Sequence, residues 1–221
     1  MANPGYSIAE TVFSDGECDE LQRALASVGI ARGRAGARHL MAHPFVNATA
    51  HDPRLLEIAK DSLGDFAIPY RATLFEKSGH ANWLVVWHQD TALPLSSVND
   101  CSEWGPWSTK AGVVYAHAPT WALSRTIALR VHLDASTTEN GPLRVIPGSH
   151  ADGVLSDEDV FAVARHQTPV DCIVPRGGVL AMRPLLIHSS SKSKADLPRR
   201  VLHIEYADSL ELNDGIRLAV A

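Results

Sequence analysis

Cysteine is scarce in this chain, long apolar runs are absent, and each shortage excludes something. Its three cysteines, Cys18, Cys101 and Cys172, are an odd number without metal-type spacing, so neither a disulfide framework nor a zinc site is indicated. No apolar stretch approaches the roughly 18 residues of a membrane span. The opening residues Met1-Ala2-Asn3-Pro4-Gly5-Tyr6 lack the basic start and apolar centre of a secretory leader, so a cytoplasmic protein is expected. Lysine and arginine gather only in short groups such as Lys192/Lys194 and Arg199/Arg200, and the formal charge is −5. A nucleic-acid or anionic-membrane partner is therefore not expected. There is no internal repeat and no low-complexity segment. What remains is a chain of 221 residues, 45% apolar and 20% charged, able to bury about 70% of its unfolded surface in one core. A single domain over 1–221 is the simplest division, with no obligate protein partner indicated.

Two helices open the chain. Ser14 and Asp15 precede a three- and four-residue apolar pattern from Cys18 to Val28 that Gly29 stops. Asp52 is a cap residue, Pro53 suits the first turn, and the run ends at Gly64. The segment 1–66 thus reads as a helical scaffold. From Ala67 the pattern changes to short β-branched and aliphatic runs: Tyr70 to Phe75, Trp83 to Trp87, Thr126 to Leu133, Leu143 to Ile146, Val170 to Val174, Val179 to Ile187 and Val201 to Tyr206. Turn residues separate them, so 67–207 reads as the core of an all-β sandwich or barrel. Asn140-Gly141 signals a hairpin. The stretch 91–124, with Asp100, Trp104, Trp107, Tyr115, His117 and Trp121, reads as one long irregular connection. Such length suggests a substrate-covering loop, although Trp104 and Trp107 would equally pin a loop to the barrel.

His88-Gln89-Asp90 follows the apolar run Trp83-Leu84-Val85-Val86-Trp87, which reads as a buried strand. In an extended chain residues two apart share a face, so His88 and Asp90 can bind one ion while Gln89 turns away. His188 ends a second apolar stretch and offers a third ligand. Two imidazoles and one carboxylate on one side of an ion favour Fe(II) and oxygen chemistry. The H-x-D pattern alone is weak, since His132/Asp134 and His150/Asp152 repeat it. The latter falls in a loop after Pro147-Gly148; Asp134 precedes a polar turn that it can cap. What distinguishes His88 and Asp90 is the pairing of His188 with Arg199, whose fork could hold a dicarboxylic co-substrate.

Trp87-His88-Gln89-Asp90, then Asn140 to His150, then His188-Ser189-Ser190 and Arg199, resemble in that order the phytanoyl-CoA dioxygenase family of Fe(II)/2-oxoglutarate oxygenases. The resemblance runs from about Phe75 to Ala207. It implies a mainly β fold with flanking helices, a double-stranded β-helix of jelly-roll, cupin-like form. It also implies Fe(II) held by His88, Asp90 and His188, 2-oxoglutarate anchored by Arg199 and Ser190, and O2 as oxidant, with succinate and CO2 released. Arg130 stands where relatives carry a tryptophan beside 2-oxoglutarate, and Thr73 where they carry an apolar contact. Counting back by twos from His88 brings Val86, Leu84 and Asn82 to the same face, which adds Asn82 to the co-substrate candidates.

Arg71, Trp107, Tyr115 and His203 are the substrate candidates. A lone strand histidine such as His203 is more often a satisfied core group. Buried cations persist only when paired, so Arg71 and Arg130 each need an anion, internal or from the substrate. The expected activity is oxidation of a C–H bond in a small anionic or zwitterionic metabolite, with Arg130 as its anchor. A metal- or small-molecule-binding sensor without catalysis is the alternative, and a metal hydrolase is a weaker one.

Overall fold

The computed structural model describes residues 3–33, 36–78, 82–98, 101–195, 198–213 and 215–221. Asp100 lies outside them. Strands β1 (Tyr6–Ala9), β2 (Gly36–Ala37), β3 (Ile68–Lys77), β8 (Thr126–His132), β11 (Val179–Met182) and β13 (Arg199–Ala207) form a six-stranded sheet in the order β1-β11-β8-β13-β3-β2. Strands β4 (Val85–His88), β9 (Leu143–Val145), β10 (Val170–Cys172) and β12 (His188–Ser190) form a second sheet in the order β10-β9-β12-β4. Their pairings are antiparallel. This is the mainly β, jelly-roll architecture the sequence implies.

Helices α1 (Asp15–Ser27), α2 (Pro44–Ala50) and α3 (Pro53–Leu63) contribute Cys18, Leu25, Val46, Leu55 and Ala59 to one apolar cluster with the six-stranded sheet. Side-chain alternation decides what meets them. Ala72 and Leu74 of β3, Leu129 and Val131 of β8, and Leu202 and Ile204 of β13 belong to that cluster. Their neighbours Thr73, Arg130 and His203 line a cavity instead. Ser14 accepts from the Glu17 amide while the Glu17 carboxylate accepts from the Ser14 amide at 2.7 Å, a reciprocal cap worth about 1 kcal/mol. Asp52 caps α3 through the Arg54 amide at 2.9 Å, and Gly64 closes it at φ 88°.

Five expectations change. Residues 91–124 are not irregular. They contain β5 (Ala92–Leu95), β6 (Trp107–Lys110) and β7 (Val113–His117), joined as a β5-β7-β6 sheet, and helix α4 (Thr120–Leu123). Their shortness and Pro94 in the edge strand hide the two-residue period. Trp104 is buried and meets Trp121 edge to face at 6.1 Å, so tryptophan pins this segment as the second reading had it.

Asn140-Gly141 does not close a hairpin, because β8 and β9 lie in different sheets. Gly141, at φ 66°, instead lets the chain pass so close to Ser191 that an added Cβ would lie 2.3 Å from its carbonyl oxygen. The expected buried strand before His88 is half outward, with Leu84 60% and Val86 56% exposed. The β12–β4 register shifts between the pairs His188↔His88 and Ser190↔Val85. That bulge resets the alternation and turns Val85, rather than Val86, inward.

The segment 1–66 is not purely helical, since β1 pairs with β11 and β2 with β3. Nor is 67–207 purely β. Helix α5 (Asp157–His166), capped by Ser156, lies within it.

Candidate active site

The sequence candidates meet along the β3–β13 ladder, which forms one wall of a cavity of about 370 Å³. The ladder pairs Lys77 with Arg199, Thr73 with His203, and Arg71 with Glu205; β8 adds Arg130 opposite His203. Six residues of extended chain separate Arg71 from Lys77, so the two ends of this wall lie roughly 20 Å apart. Arg71, Thr73, Phe75 and Lys77 all line the cavity, as a two-residue period requires.

His88, Asp90 and His188 face this wall from β4, the segment after it, and β12. One donor atom from each lies within 4.8 Å of the others, and they are the one such group of three among the described residues. His88 Nε2 is 3.7 Å from Asp90 Oδ1 and His188 Nε2 is 3.7 Å from Asp90 Oδ2. Each imidazole is fixed through its other nitrogen: Nδ1 of His88 meets the Val86 carbonyl at 2.8 Å, and Nδ1 of His188 the Leu186 carbonyl at 2.9 Å. Donation from Nδ1 leaves each Nε2 lone pair pointing at the shared position.

Burial pulls His188 down to about 4 against the raising effect of Asp90, so its ring is neutral at pH 7. Desolvation would raise the Asp90 carboxyl, but His188 and His88 override it and hold it at about 2. Gln89 turns away as expected, donating to the Gly153 and Leu185 carbonyls at 2.8 Å each, and accepting from the Leu155 amide at 2.9 Å. These bonds clamp the segment that carries the two ligand candidates.

The inner end of the wall is cationic. Lys77 is buried; its ammonium donates to Ser190 Oγ at 2.6 Å and to the Ser191 carbonyl, and lies over the Trp83 ring. Burial, with Arg199 and Arg130 adding, lowers it to about 7. Arg199 donates from Nε to the Asn140 carbonyl at 3.2 Å, and Arg130 from a terminal nitrogen toward His203 Nδ1 at 3.2 Å. Burial brings both guanidinium groups down to about 10. Among the described residues none of these three cations has a carboxylate within ion-pair distance, and Arg130 Nε is buried without a hydrogen-bond partner. Unpaired buried cations, Lys77 and Arg199 at one end of the cavity and Arg130 toward its middle, fit a bound anion with more than one charge.

Other candidates are not brought to the cavity. Asn82 exchanges two hydrogen bonds of 2.7 Å with the Ser193 backbone and does not line it, the consequence of the bulge in β4. Trp107 packs into the apolar cluster beneath β5 and β7. Tyr115 is fully buried, with its hydroxyl 2.8 Å from His39 Nε2 and its ring under Arg71 and Lys110, so it supports the wall without lining it. Arg71 lines the cavity, and its anion is internal: it pairs with buried Glu205, which outweighs burial and raises its pKa. Arg130 does not share its end. It sits mid-ladder and feels Asp90, Arg199 and Lys77.

His203 does line the cavity, with Nε2 3.8 Å from Glu205. Among the described residues neither competing H-x-D pair joins a third donor into a metal-type group. Asp134 receives Arg200 in a two-pronged pair at 2.7 and 2.9 Å, and also caps the Arg200 amide. His150 packs against Gly5. Lys77, Arg38 and Lys110 also line the cavity and were not singled out in the sequence. Extending the Arg71, Thr73, Phe75 period one step reaches Lys77; Arg38 and Lys110 lie beside turns and carry no such signal.

A jelly roll with two histidines and one carboxylate on its inner wall falls in the class of cupin-like non-haem metal proteins. The chain belongs to the phytanoyl-CoA dioxygenase (PhyH) family, whose model matches residues 1–201. It is 27% identical over 180 residues to L-proline trans-4-hydroxylase of Streptomyces griseoviridis, covering 70% of this chain and 59% of that protein. It is 26% identical over 162 residues to ectoine dioxygenase of Sphingopyxis alaskensis, covering 66% of this chain and 46% of that protein. The chain thus spans about half the length of these relatives. EctD from S. alaskensis, solved with 2-oxoglutarate and 5-hydroxyectoine, superposes with a TM-score of 0.69 at 25% identity over 93% of this chain and 72% of that one. Among the described residues no helix is long and apolar enough to cross a membrane.

Proposed function

We propose that the protein is an Fe(II)- and 2-oxoglutarate-dependent oxygenase that hydroxylates, or otherwise oxidises, a C–H bond of a small metabolite. The observation that carries this reading is the convergence of His88, Asp90 and His188 on a cavity that holds Lys77 and Arg199 at its inner end and Arg130 mid-ladder, three cations without carboxylate partners among the described residues. A neutral-imidazole and carboxylate donor set suits Fe(II), and the unpaired cations suit a dicarboxylate. Relatives named as a hydroxylase and a dioxygenase support an enzyme over a non-catalytic sensor.

Iron with 2-oxoglutarate and O2 would supply the oxidant, 2-oxoglutarate leaving as succinate and CO2. The chain's own residues do the rest. His88, Asp90 and His188 would hold the metal on one side and leave the opposite side open. Arg199 and Lys77 would receive the far carboxylate of 2-oxoglutarate, with Ser190 orienting the lysine through its 2.6 Å bond. Arg130, between them and the metal position, would neutralise what the co-substrate adds, in place of the apolar stacking its position implies in relatives. The β5–β7 segment would cover the substrate, contributing Thr91, Ala92, Lys110 and His117 to the wall. Purified protein incubated with Fe(II), ascorbate and 2-oxoglutarate should release succinate in a metal-dependent manner. Stoichiometric Fe(II) binding with no succinate under any condition would favour the sensor.

A further inference from the structure

The cavity has a second cationic end, and the co-substrate does not account for it. Arg38, Arg71 and Lys110 line the cavity at the Arg71 side, opposite to Lys77 and Arg199. Tyr115 is the platform for two of them: Arg71 lies 5.5 Å and Lys110 4.9 Å from its ring centre. Lys110 and His39 both feel the two arginines. Lys110 is lowered by partial burial and then by Arg38 and Arg71, and His39 is lowered by burial, Arg71 and Arg38. Only Arg71 has an internal carboxylate, Glu205; among the described residues Arg38 and Lys110 have none within ion-pair distance.

Backbone geometry marks the residue after Arg38. The non-glycine residues with positive φ among those described are His39 at 60° and Ala111 at 48°; Ala111 with Gly112 closes the two-residue β6–β7 hairpin, whose turn requires it. Such conformations cost about 1–2 kcal/mol each for a residue with a Cβ and persist where the surroundings demand them. His39 is held there by its bond to the Tyr115 hydroxyl.

Charge then constrains the ligand. Among the described residues the cavity is lined by Arg38, Arg71, Lys77, Lys110, Arg130 and Arg199, against one carboxylate, Asp90, which the metal would claim. A bound metal adds positive charge and 2-oxoglutarate removes two units. Among the described residues no lining carboxylate is left to receive a substrate ammonium.

We propose that Arg38, Lys110 and Arg71 form an outer anion site that binds a carboxylate or phosphate group of the substrate, so that the substrate is a net anion rather than a zwitterion. This rests on the oxygenase reading for the word substrate, but the anion site itself can be tested without turnover. Arg71, braced by Glu205, would set the depth at which the anion stops, and the exposed Arg38 and Lys110 would contact its outer side. The target C–H bond would then lie between that anion and the metal position, near His203 and Thr73.

The test is calorimetric titration of the full chain, metal-free, with inorganic phosphate and separately with glutarate. Comparison is made with Arg199→Ala, with the double variant Arg38→Ser/Lys110→Ser, and with Arg23→Ser, an exposed cation outside the cavity. Wild type should show an outer site whose affinity falls about tenfold or more in the double variant, while Arg199→Ala and Arg23→Ser leave it unchanged. Phosphate preferred over glutarate at that site points to a phosphorylated substrate, and the reverse to a polycarboxylate. Loss of all probe binding in Arg199→Ala, or an unaffected double variant, overturns the proposal. Absence of succinate formation by wild type would instead overturn the oxygenase reading, and these titrations would still stand. Both substituted mouth residues are exposed, and circular dichroism of the double variant should match wild type.

Discussion

Replacing Arg199 by methionine, which keeps most of its volume, should weaken 2-oxoglutarate while leaving the metal site intact. Arg199 is 4% exposed, and among the described residues its guanidinium makes one hydrogen bond, to the Asn140 carbonyl, which leaves donors for a ligand. Two unit charges 4 Å apart attract by about 4 kcal/mol at an effective dielectric of 20, and truncating one side of a buried charge pair costs about 2–5 kcal/mol. Part of this is offset, because Arg199 also repels Arg130 and Lys77 in the ligand-free protein. The net loss should fall near the lower end, about 2–3 kcal/mol, or roughly 30- to 150-fold in affinity. The readouts are the 2-oxoglutarate dependence of succinate release and a direct titration with Fe(II) held saturating under anaerobic conditions. Relief of the same repulsion means that the variant's melting temperature should fall by no more than about 2 °C. Unchanged 2-oxoglutarate affinity would refute the reasoning and move the clamp to Lys77 and Arg130.

Lys77, lowered to about 7, should be driven back to the charged form by a dianion beside it. Binding of 2-oxoglutarate should therefore take up protons above pH 7 and weaken as pH rises, a dependence that calorimetry in buffers of different ionisation enthalpy should find missing in Lys77→Met. Gly141→Ala should destabilise the fold by about 2–4 kcal/mol, since its Cβ would meet a backbone oxygen at 2.3 Å at φ 66°; a thermal shift below about 2 °C would contradict this. Arg54 bonds Glu17 and Asp52, and its hydrogen bond first, then those from Ser14, hold Glu17 at about 2. A carboxyl lowered by folding stabilises above its unfolded value near 4.5 and loses that contribution as pH falls toward 2. The melting difference between wild type and Arg54→Ala should accordingly be present at pH 7 and shrink between pH 4.5 and 2.

What the sequence made legible follows from short-range periodicity. His88 and Asp90 share a face because they are two apart on a locally extended chain, and the caps Ser14 and Asp52 announce their helices through their own side chains. What it hid depended on partners elsewhere in the chain. The bulge that turns Leu84 and Val86 outward and removes Asn82 from the cavity is a property of the β4–β12 pairing, not of either strand. Asn140-Gly141 carries hairpin chemistry, yet its role is a close pass beside Ser191, which only the crossover between sheets creates. Lys77 looks like a strand-end surface charge until Arg199 is set opposite it. Arg71 could be told from Arg130 only once Glu205 appeared as the partner of one and not the other.

The most direct test of the account is a paired measurement of bound Fe(II) and of succinate formed from 2-oxoglutarate, in wild type, Asp90→Ala and Asp134→Ala. Wild type and Asp134→Ala should each bind one Fe(II) per chain and release succinate, whereas Asp90→Ala should stay folded and lose both. Metal binding that survives Asp90→Ala but not Asp134→Ala would contradict the assignment of the centre and with it the mechanism built around it.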